Sequence, residues 1–260
     1  MKNNKTMILS MASALLISLS ACSNMETIDN TPNPNVVEEN LSGNLATLYT
    51  TTATGSATLK KTYSQVASTV NMAPTTIQVD PTKTYQSMDG FGFAITYSTC
   101  YNLMKMDAAS REKFLKQTYS TSEGYGVSYA RISIGCNDFS STEYSLCDTK
   151  GLENFALHKD ETSYVIPVLK EILAINPNLK IIASPWTSPK WMKVSDIKTK
   201  APFDSWTDGH LNPDYRQDYA QYFVKFVNIM KDNGISIYAV SPQNEPLNRA
   251  NCASLYMPWD

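Results

Sequence analysis

The sequence predicts an α/β fold in which buried parallel strands alternate with amphipathic helices. From about residue 75 onward, short apolar runs alternate with segments whose apolar residues recur at helical spacing. Uniformly apolar runs are typical of parallel strands that are covered on both faces. Polar and aromatic residues follow several of these runs directly, as they do at the active-site end of a (β/α)8 barrel.

Two closures of such a sheet fit the alternation, an open doubly wound sheet and a (β/α)8 TIM barrel. A dinucleotide-binding sheet carries a glycine-rich loop after its first strand, and Gly90-Phe-Gly92 is too short for that fingerprint. The barrel is therefore favoured. Four barrel-type strands precede Asp260, whereas a closed barrel requires twice as many. We expect a barrel truncated after about the fourth strand.

The predicted elements follow in order. Residues 161–175 and 213–232 each show an apolar face, the second marked by Tyr219, Phe223, Phe226 and Met230, and Gly234 is in the usual position to end that helix. A further helix is predicted over residues 108–119. The barrel strands are predicted at residues 90–96, 127–134, 179–183 and 235–240.

The first 22 residues are predicted to be a lipoprotein signal peptide. Lysines at the start precede an apolar run that is too short to span a bilayer. Leu19-Ser-Ala-Cys22 then resembles a bacterial lipobox, in which Cys22 takes the lipid; a plain secretory signal is the alternative. Membrane contact is expected through this anchor only. We expect an exported protein of the cell envelope, at the outer membrane or cell surface.

Residues 23–72 are rich in Asn, Thr, Ser and Ala and are predicted to form a flexible tether. The catalytic domain would then occupy residues 73–260. A formal charge of −2 gives no electrostatic footprint for nucleic acid. The chain has only two histidines, far apart in sequence, which disfavours a His-rich metal site and a Ser-His-Asp triad.

Glu245 is the principal catalytic candidate. It follows the fourth predicted strand in Ser241-Pro-Gln-Asn-Glu-Pro246, where proline fixes the turn and the neighbouring Asn can bind a hydroxyl group. A carboxyl group at the end of a rigid strand suits general acid/base catalysis.

Several segments together resemble glycoside hydrolase family 30, which includes the glucosylceramidases. The resemblance runs from about Gln86 to Asp260, and its two most specific segments are Ser184-Pro-Trp-Thr-Ser-Pro-Lys-Trp191 and the Asn-Glu-Pro sequence around Glu245. Other matching segments are Asp89-Gly-Phe-Gly92, Arg131-Ile-Ser-Ile-Gly-Cys-Asn-Asp-Phe-Ser140 and Phe155-Ala-Leu-His-Lys-Asp160. The resemblance implies a side β-sandwich, to which residues 75–79 would add a strand.

The resemblance also implies roles for individual residues. Glu245 would be the acid/base, Asn244 would hold the sugar 2-hydroxyl, and Asp138 and Trp186 would bind the sugar in the cleavage subsite. Arg131 would orient carboxylates near the reaction centre, with a buried structural ion pair as the alternative. The nucleophile would be a Glu on a later strand, so the 260-residue form is expected to be inactive. No metal or organic cofactor is implied.

The expected function is a retaining β-glycoside hydrolase of glucosylceramidase type acting on a β-glucan or a glucosylated lipid. An endo-β-1,6-glucanase or another polysaccharide hydrolase of the family is the alternative within this class. Tyr97 stands near a position where glucosylceramidase-like sequences often carry an acidic residue, which leaves the substrate range open. A non-catalytic surface glycan-binding lipoprotein is the alternative from another class.

Overall fold

The computed structural model of the chain describes residues 45–58, 60–65, 80–249 and 252–258. The chain divides into two compact units, Met1–Tyr85 and Gln86–Asp260. The predicted signal peptide, the lipidated Cys22 and the strand at 75–79 lie outside the described residues, so these three stay predictions. Among the described residues, no helix combines the length and the apolar character needed to cross a membrane.

In the first unit, the structure describes an antiparallel hairpin. Strand β1 (Leu45–Thr50) pairs with β2 (Lys60–Gln65). This hairpin lies inside the segment that the sequence predicted as a tether, so that prediction missed it. Threonine and tyrosine, which favour extended backbone, recur in both strands, and this local preference outweighs the linker-like composition of the surrounding segment.

The second unit is built on a four-stranded parallel sheet. Its strands are β3 (Gly92–Ala94), β4 (Tyr129–Ser133), β5 (Lys180–Ser184) and β8 (Ala239–Val240), and a separate antiparallel pair is formed by β6 (Lys193–Val194) and β7 (His210–Leu211). The sheet order β3-β4-β5-β8 follows the chain order of these four strands, and every pairing is parallel. A barrel has this order, whereas a doubly wound sheet reverses direction at a switch point. The predicted barrel-type arrangement is confirmed for these strands.

Helices cover the sheet between successive strands. They are α1 (Tyr97–Lys105), α2 (Ala108–Tyr119), α3 (Ile166–Ile175) and α4 (Arg216–Asp232). A π-helical turn, Glu161–Val165, leads into α3, and a 3-10 turn, Pro213–Tyr215, leads into α4. The helices predicted at 108–119, 161–175 and 213–232 are therefore confirmed, and Gly234 follows α4 with φ +81°, as its C-terminal position predicts.

Three details of the prediction are corrected. The strand predicted at 235–240 is observed only as Ala239–Val240. The strand predicted at 90–96 is shorter, because Thr96 is the N-cap of the unpredicted helix α1 and its hydroxyl accepts a hydrogen bond from the backbone N–H of Thr99. On α4, Tyr222 belongs to the buried face while Phe223 is only half-buried. The core of the unit lies between α3, α4 and the sheet, with Leu169, Ile181 and Tyr222 all fully buried.

Candidate active site

Glu245 lies in the loop that follows β8. The backbone of this loop continues along the neighbouring β5 segment, since the N–H of Ser241 donates to Ala183 O at 2.9 Å and that of Asn244 donates to Pro185 O at 2.9 Å. These bonds fix the backbone up to the residue before Glu245. The carboxyl group itself is exposed, and Glu245 has φ +44°, a left-handed conformation that is unfavourable for a non-glycine residue.

A second contact holds the Glu245 side chain. The amide nitrogen Nδ2 of Asn248 donates to Glu245 Oε2 at 2.7 Å, and the backbone N–H of Asn248 donates to Glu245 O at 2.8 Å. Both bonds come from one turn, and the short amide side chain of Asn favours such local contacts. Sequence reasoning did not include Asn248 in the site, although its spacing from Glu245 in a Pro-containing turn carried the signal.

Arg131 lies within β4 and contacts two residues that follow neighbouring strands, Asn244 after β8 and Trp186 after β5. The Nη2 atom of Arg131 donates to Asn244 Oδ1 at 2.9 Å, and its guanidinium lies 4.9 Å from the centroid of the Trp186 ring. The resemblance implied that Arg131 orients carboxylates, whereas its observed partners are an amide and an indole ring. Because Oδ1 of Asn244 accepts from Arg131, the amide nitrogen of Asn244 is the group oriented to donate to a ligand hydroxyl.

Trp186 is buried, with 9% of its surface exposed. Its backbone carbonyl accepts from Nε2 of the buried Gln243 at 2.7 Å, and the same nitrogen donates to Asn244 O at 2.9 Å. Gln243 therefore ties the loop after β5 to the loop after β8. This residue was quoted in the predicted motif without a role, because its partner is distant in sequence.

Asp138 follows β4 and is exposed. It shares one neighbour with Glu245: burial raises the pKa of the Cys252 thiol, and the charges of Asp138, Glu245 and Glu143 raise this pKa further. Asp138 and Glu245 thus lie within electrostatic range of the same thiol. The ends of β4, β5 and β8 accordingly bring the predicted residues to one edge of the sheet.

This edge combines an exposed carboxyl group, an oriented amide donor and an aromatic ring. Such a set can exchange a proton with a bound ligand while holding its hydroxyl groups. Within the part of the chain that the structure describes, no group of three or more His, Cys, Asp or Glu side chains is placed to hold a metal ion.

Residues 88–254 match the model of the Glycosyl hydrolase family 30 TIM-barrel domain. The match covers more than half of the chain, so the chain belongs to glycoside hydrolase family 30. The barrel predicted from strand and helix alternation is the fold of this family.

Individual relatives point to two kinds of activity. The chain is 34% identical over 205 residues to putative glucosylceramidase 4 of Caenorhabditis elegans, covering 77% of this chain and 38% of the relative. It is 33% identical over 192 residues to an endo-1,6-β-D-glucanase of Neurospora crassa, covering 71% and 39%. Among solved structures, an endo-β-1,6-glucanase matches with 57% identity and a TM-score of 0.72 over 84% of this chain and 46% of that chain. This chain therefore spans less than half the length of these relatives.

Proposed function

We propose that this chain is part of a retaining β-glycoside hydrolase that cleaves β-1,6-linked glucan, with Glu245 as the general acid/base. The observation that carries the substrate is the 57% identity to a solved endo-β-1,6-glucanase across 84% of this chain. In a barrel, strand ends and the loops after them supply the substrate contacts. The family match at residues 88–254 contains these strand ends.

The proposed reaction is a double displacement. Glu245 first donates its proton to the glycosidic oxygen while a second carboxylate attacks the anomeric carbon, which breaks the carbon–oxygen bond and forms a glycosyl ester. The ionised Glu245 then takes a proton from water as that water attacks the same carbon. The ester bond breaks, the second carboxylate is released, and Glu245 is protonated again.

The neighbouring residues are proposed to bind the sugar. Asn244, oriented by Arg131, would donate to the 2-hydroxyl, where a hydrogen bond that strengthens in the transition state lowers the barrier. Asp138 would accept hydrogen bonds from other hydroxyls of the same sugar. Trp186, whose ring lies against the Arg131 guanidinium, would flank the same subsite.

The second carboxylate is proposed to come from a part of the barrel outside residues 1–260. Retaining enzymes place the two carboxyl groups about 5 Å apart. We assign Asp138 to sugar binding, and the relatives support a later residue, since this chain matches only 38% and 39% of their length. A form limited to these 260 residues is expected to bind glycan without hydrolysing it.

A second candidate is hydrolysis of glucosylceramide. It is supported by the 34% identity to a protein named as a putative glucosylceramidase. Both candidates use the same residues and the same chemistry at the cleaved bond. They differ in the group that leaves, which is a sugar in one case and a lipid in the other.

The experiment expresses the longest open reading frame that contains this chain and compares hydrolysis of β-1,6-glucan and glucosylceramide by the protein. We expect release of oligosaccharides from β-1,6-glucan, with the β anomer formed first in a proton NMR time course. Rapid hydrolysis of glucosylceramide with β-1,6-glucan left intact would favour the second candidate. Binding of β-1,6-glucan without hydrolysis of any β-glucoside would show that the protein is a glycan-binding module.

We also propose that the protein is exported and anchored through Cys22. The support is the sequence of a basic start, a short apolar run and a small-small-Cys end. Expression in a bacterium with a radiolabelled fatty acid should label the wild-type protein and not Cys22→Ser. Equal labelling of both proteins would refute the anchor.

A further inference from the structure

Lys193 is a buried lysine whose ammonium group is bound by oxygens from three separate segments of the chain. It is 2% exposed and begins β6. Its Nζ donates to the backbone carbonyls of Ser205 at 2.9 Å, Trp206 at 3.0 Å and Ser254 at 2.9 Å, and to Thr187 Oγ1 at 3.2 Å. A buried ammonium group is costly unless its donors are satisfied, and here four oxygens surround it.

Two of these acceptors belong to residues 203–209, which we call the bracing loop. One belongs to residues 241–249 and 252–257, which together we call the Glu245 loop. The two loops are also joined directly. The backbone N–H groups of Ser254 and Tyr256 donate to Trp206 O at 3.0 Å and Gly209 O at 2.8 Å. Side chains add two more bonds, from Thr207 Oγ1 to Cys252 O at 2.8 Å and from the Asp208 N–H to Ser254 Oγ at 2.8 Å.

Further contacts between the two loops lie closer to Glu245 in the sequence. Arg249 pairs with Asp208, with Nε to Oδ1 at 2.8 Å and Nη2 to Oδ2 at 3.2 Å. The backbone N–H of Met257 donates to Pro246 O at 2.8 Å, which closes the Glu245 loop at the residue next to Glu245. Met257 directly follows Tyr256, and Pro246 directly follows Glu245. A displacement of residues 254–256 would therefore also displace the backbone next to Glu245.

Backbone strain is concentrated in the same two loops. Glu245 has φ +44°, Cys252 has φ +26° and Asp208 has φ +66°. Non-glycine residues persist in this region only where the surrounding contacts hold them there. The Glu245 conformation therefore needs a rigid support, and the contacts of the bracing loop supply one.

We propose that Lys193 is a positioning residue, whose buried ammonium group holds the bracing loop against the Glu245 loop and so fixes the direction of the Glu245 carboxyl group. This inference rests on the proposed role of Glu245 as acid/base. Lys193 acts through backbone carbonyls and touches no reacting atom. Burial lowers the pKa of Lys193 to about 8, with the nearby Asp208 opposing that change, so the group still carries its charge at neutral pH.

Hydrogen exchange tests the holding role without any need for hydrolysis. Lys193→Met keeps the length of the side chain and removes every donor, and Thr207→Val is a milder second variant that removes one bond between the loops. The exposed Lys200, which pairs with Asp214, provides the control Lys200→Met. We expect amide exchange in residues 252–257 to rise at least about tenfold in Lys193→Met and about threefold in Thr207→Val, with β4 and the control unchanged.

Kinetics test whether Lys193 affects proton donation by Glu245. The enzyme used is the product of the longest open reading frame that contains this chain. Phenyl and dinitrophenyl glycosides of the same β-1,6-linked oligosaccharide differ in their need for a proton donor, because dinitrophenolate leaves without one. We expect Lys193→Met to lower kcat/KM at least about tenfold for the phenyl glycoside and less than about threefold for the dinitrophenyl glycoside. A general loss of folding would lower both values equally.

Unchanged exchange in residues 252–257 of Lys193→Met would overturn the proposal, and so would an equal rise in β4. An equal loss of kcat/KM for the two glycosides would also overturn it. If the wild-type protein hydrolyses neither glycoside, the proposed function fails, and the exchange result alone decides whether Lys193 holds the two loops together.

Discussion

Glu161, in the π-helical turn before α3, provides a stability prediction that depends on pH. The residue is 4% exposed. Its Oε1 accepts from the Tyr144 hydroxyl at 2.8 Å and its Oε2 accepts from the backbone N–H of His158 at 3.0 Å. Burial raises the pKa of Glu161 from 4.5 to about 7, the hydrogen bond from Tyr144 opposes this change, and the neighbouring Asp160 adds to it.

The direction of the effect follows from proton linkage. Below pH 4.5 the carboxyl group is protonated in both the folded and the unfolded chain, so its contribution to stability is complete. As pH rises through about 7, the folded state has to release a proton from a buried site, and that contribution is lost. The full loss corresponds to about 3 kcal/mol of unfolding free energy.

The substitution Glu161→Gln removes this titration and keeps both contacts. The Gln amide nitrogen can donate to the Tyr144 oxygen while the amide oxygen accepts from His158 N–H. We therefore expect the unfolding free energy of Glu161→Gln, relative to wild type, to increase by about 3 kcal/mol between pH 4 and pH 8.5.

Urea denaturation followed by tryptophan fluorescence at both pH values measures the difference. The matched control is Glu171→Gln on α3, since Glu171 forms a half-exposed pair with Arg111 at 2.8 Å. Its effect should stay below about 1 kcal/mol at both pH values. A difference between wild type and Glu161→Gln that does not change with pH would refute the reasoning.

Three further predictions concern single contacts. Gly234→Ala should lower the unfolding free energy by about 1 kcal/mol in urea denaturation, because alanine is strained at φ +81°. No atom lies within 4 Å of the new Cβ, so no steric clash adds to this strain. An unchanged midpoint would contradict the prediction. Trp186→Ala should lower kcat/KM for β-1,6-glucan at least about tenfold by removing the ring under Arg131, whereas Trp186→Phe should lose less. Asn248→Ala should lower kcat/KM by about tenfold through loss of the bond to Glu245 Oε2, and wild-type kinetics in this variant would show that the bond is dispensable.

The sequence was sufficient for the elements whose signals are local. Helix α2 was predicted with its observed bounds. The structure shows that its start is fixed locally, since Asp107 accepts from the backbone N–H of Ser110 at 2.9 Å. Helix α1 was missed, because Thr96 was assigned to the preceding strand. The pair β6 and β7 could not be predicted, since each strand has only two residues and the strands are separated by a long loop.

In the candidate site, too, features with local sequence signals were predictable and contacts between distant residues were not. Glu245, Asn244, Asp138 and Trp186 follow predicted strands, and the barrel brings strand ends together, so their proximity was predictable. The partner of Arg131 was not predictable, because 113 residues separate it from Asn244. The contact of Lys193 with Ser254, 61 residues away, left no local pattern either.

The most direct test of the proposed role of Glu245 uses the variant Glu245→Ala of the protein encoded by the longest open reading frame. It is assayed with the dinitrophenyl glycoside in the presence of sodium azide. Without an acid/base, the glycosyl ester still forms from this activated substrate, and azide attacks it without general base assistance. We expect azide to restore turnover at least about tenfold and to yield a β-glycosyl azide. Full activity of Glu245→Ala toward β-1,6-glucan, or an α-glycosyl azide as product, would contradict the assignment of Glu245 as acid/base.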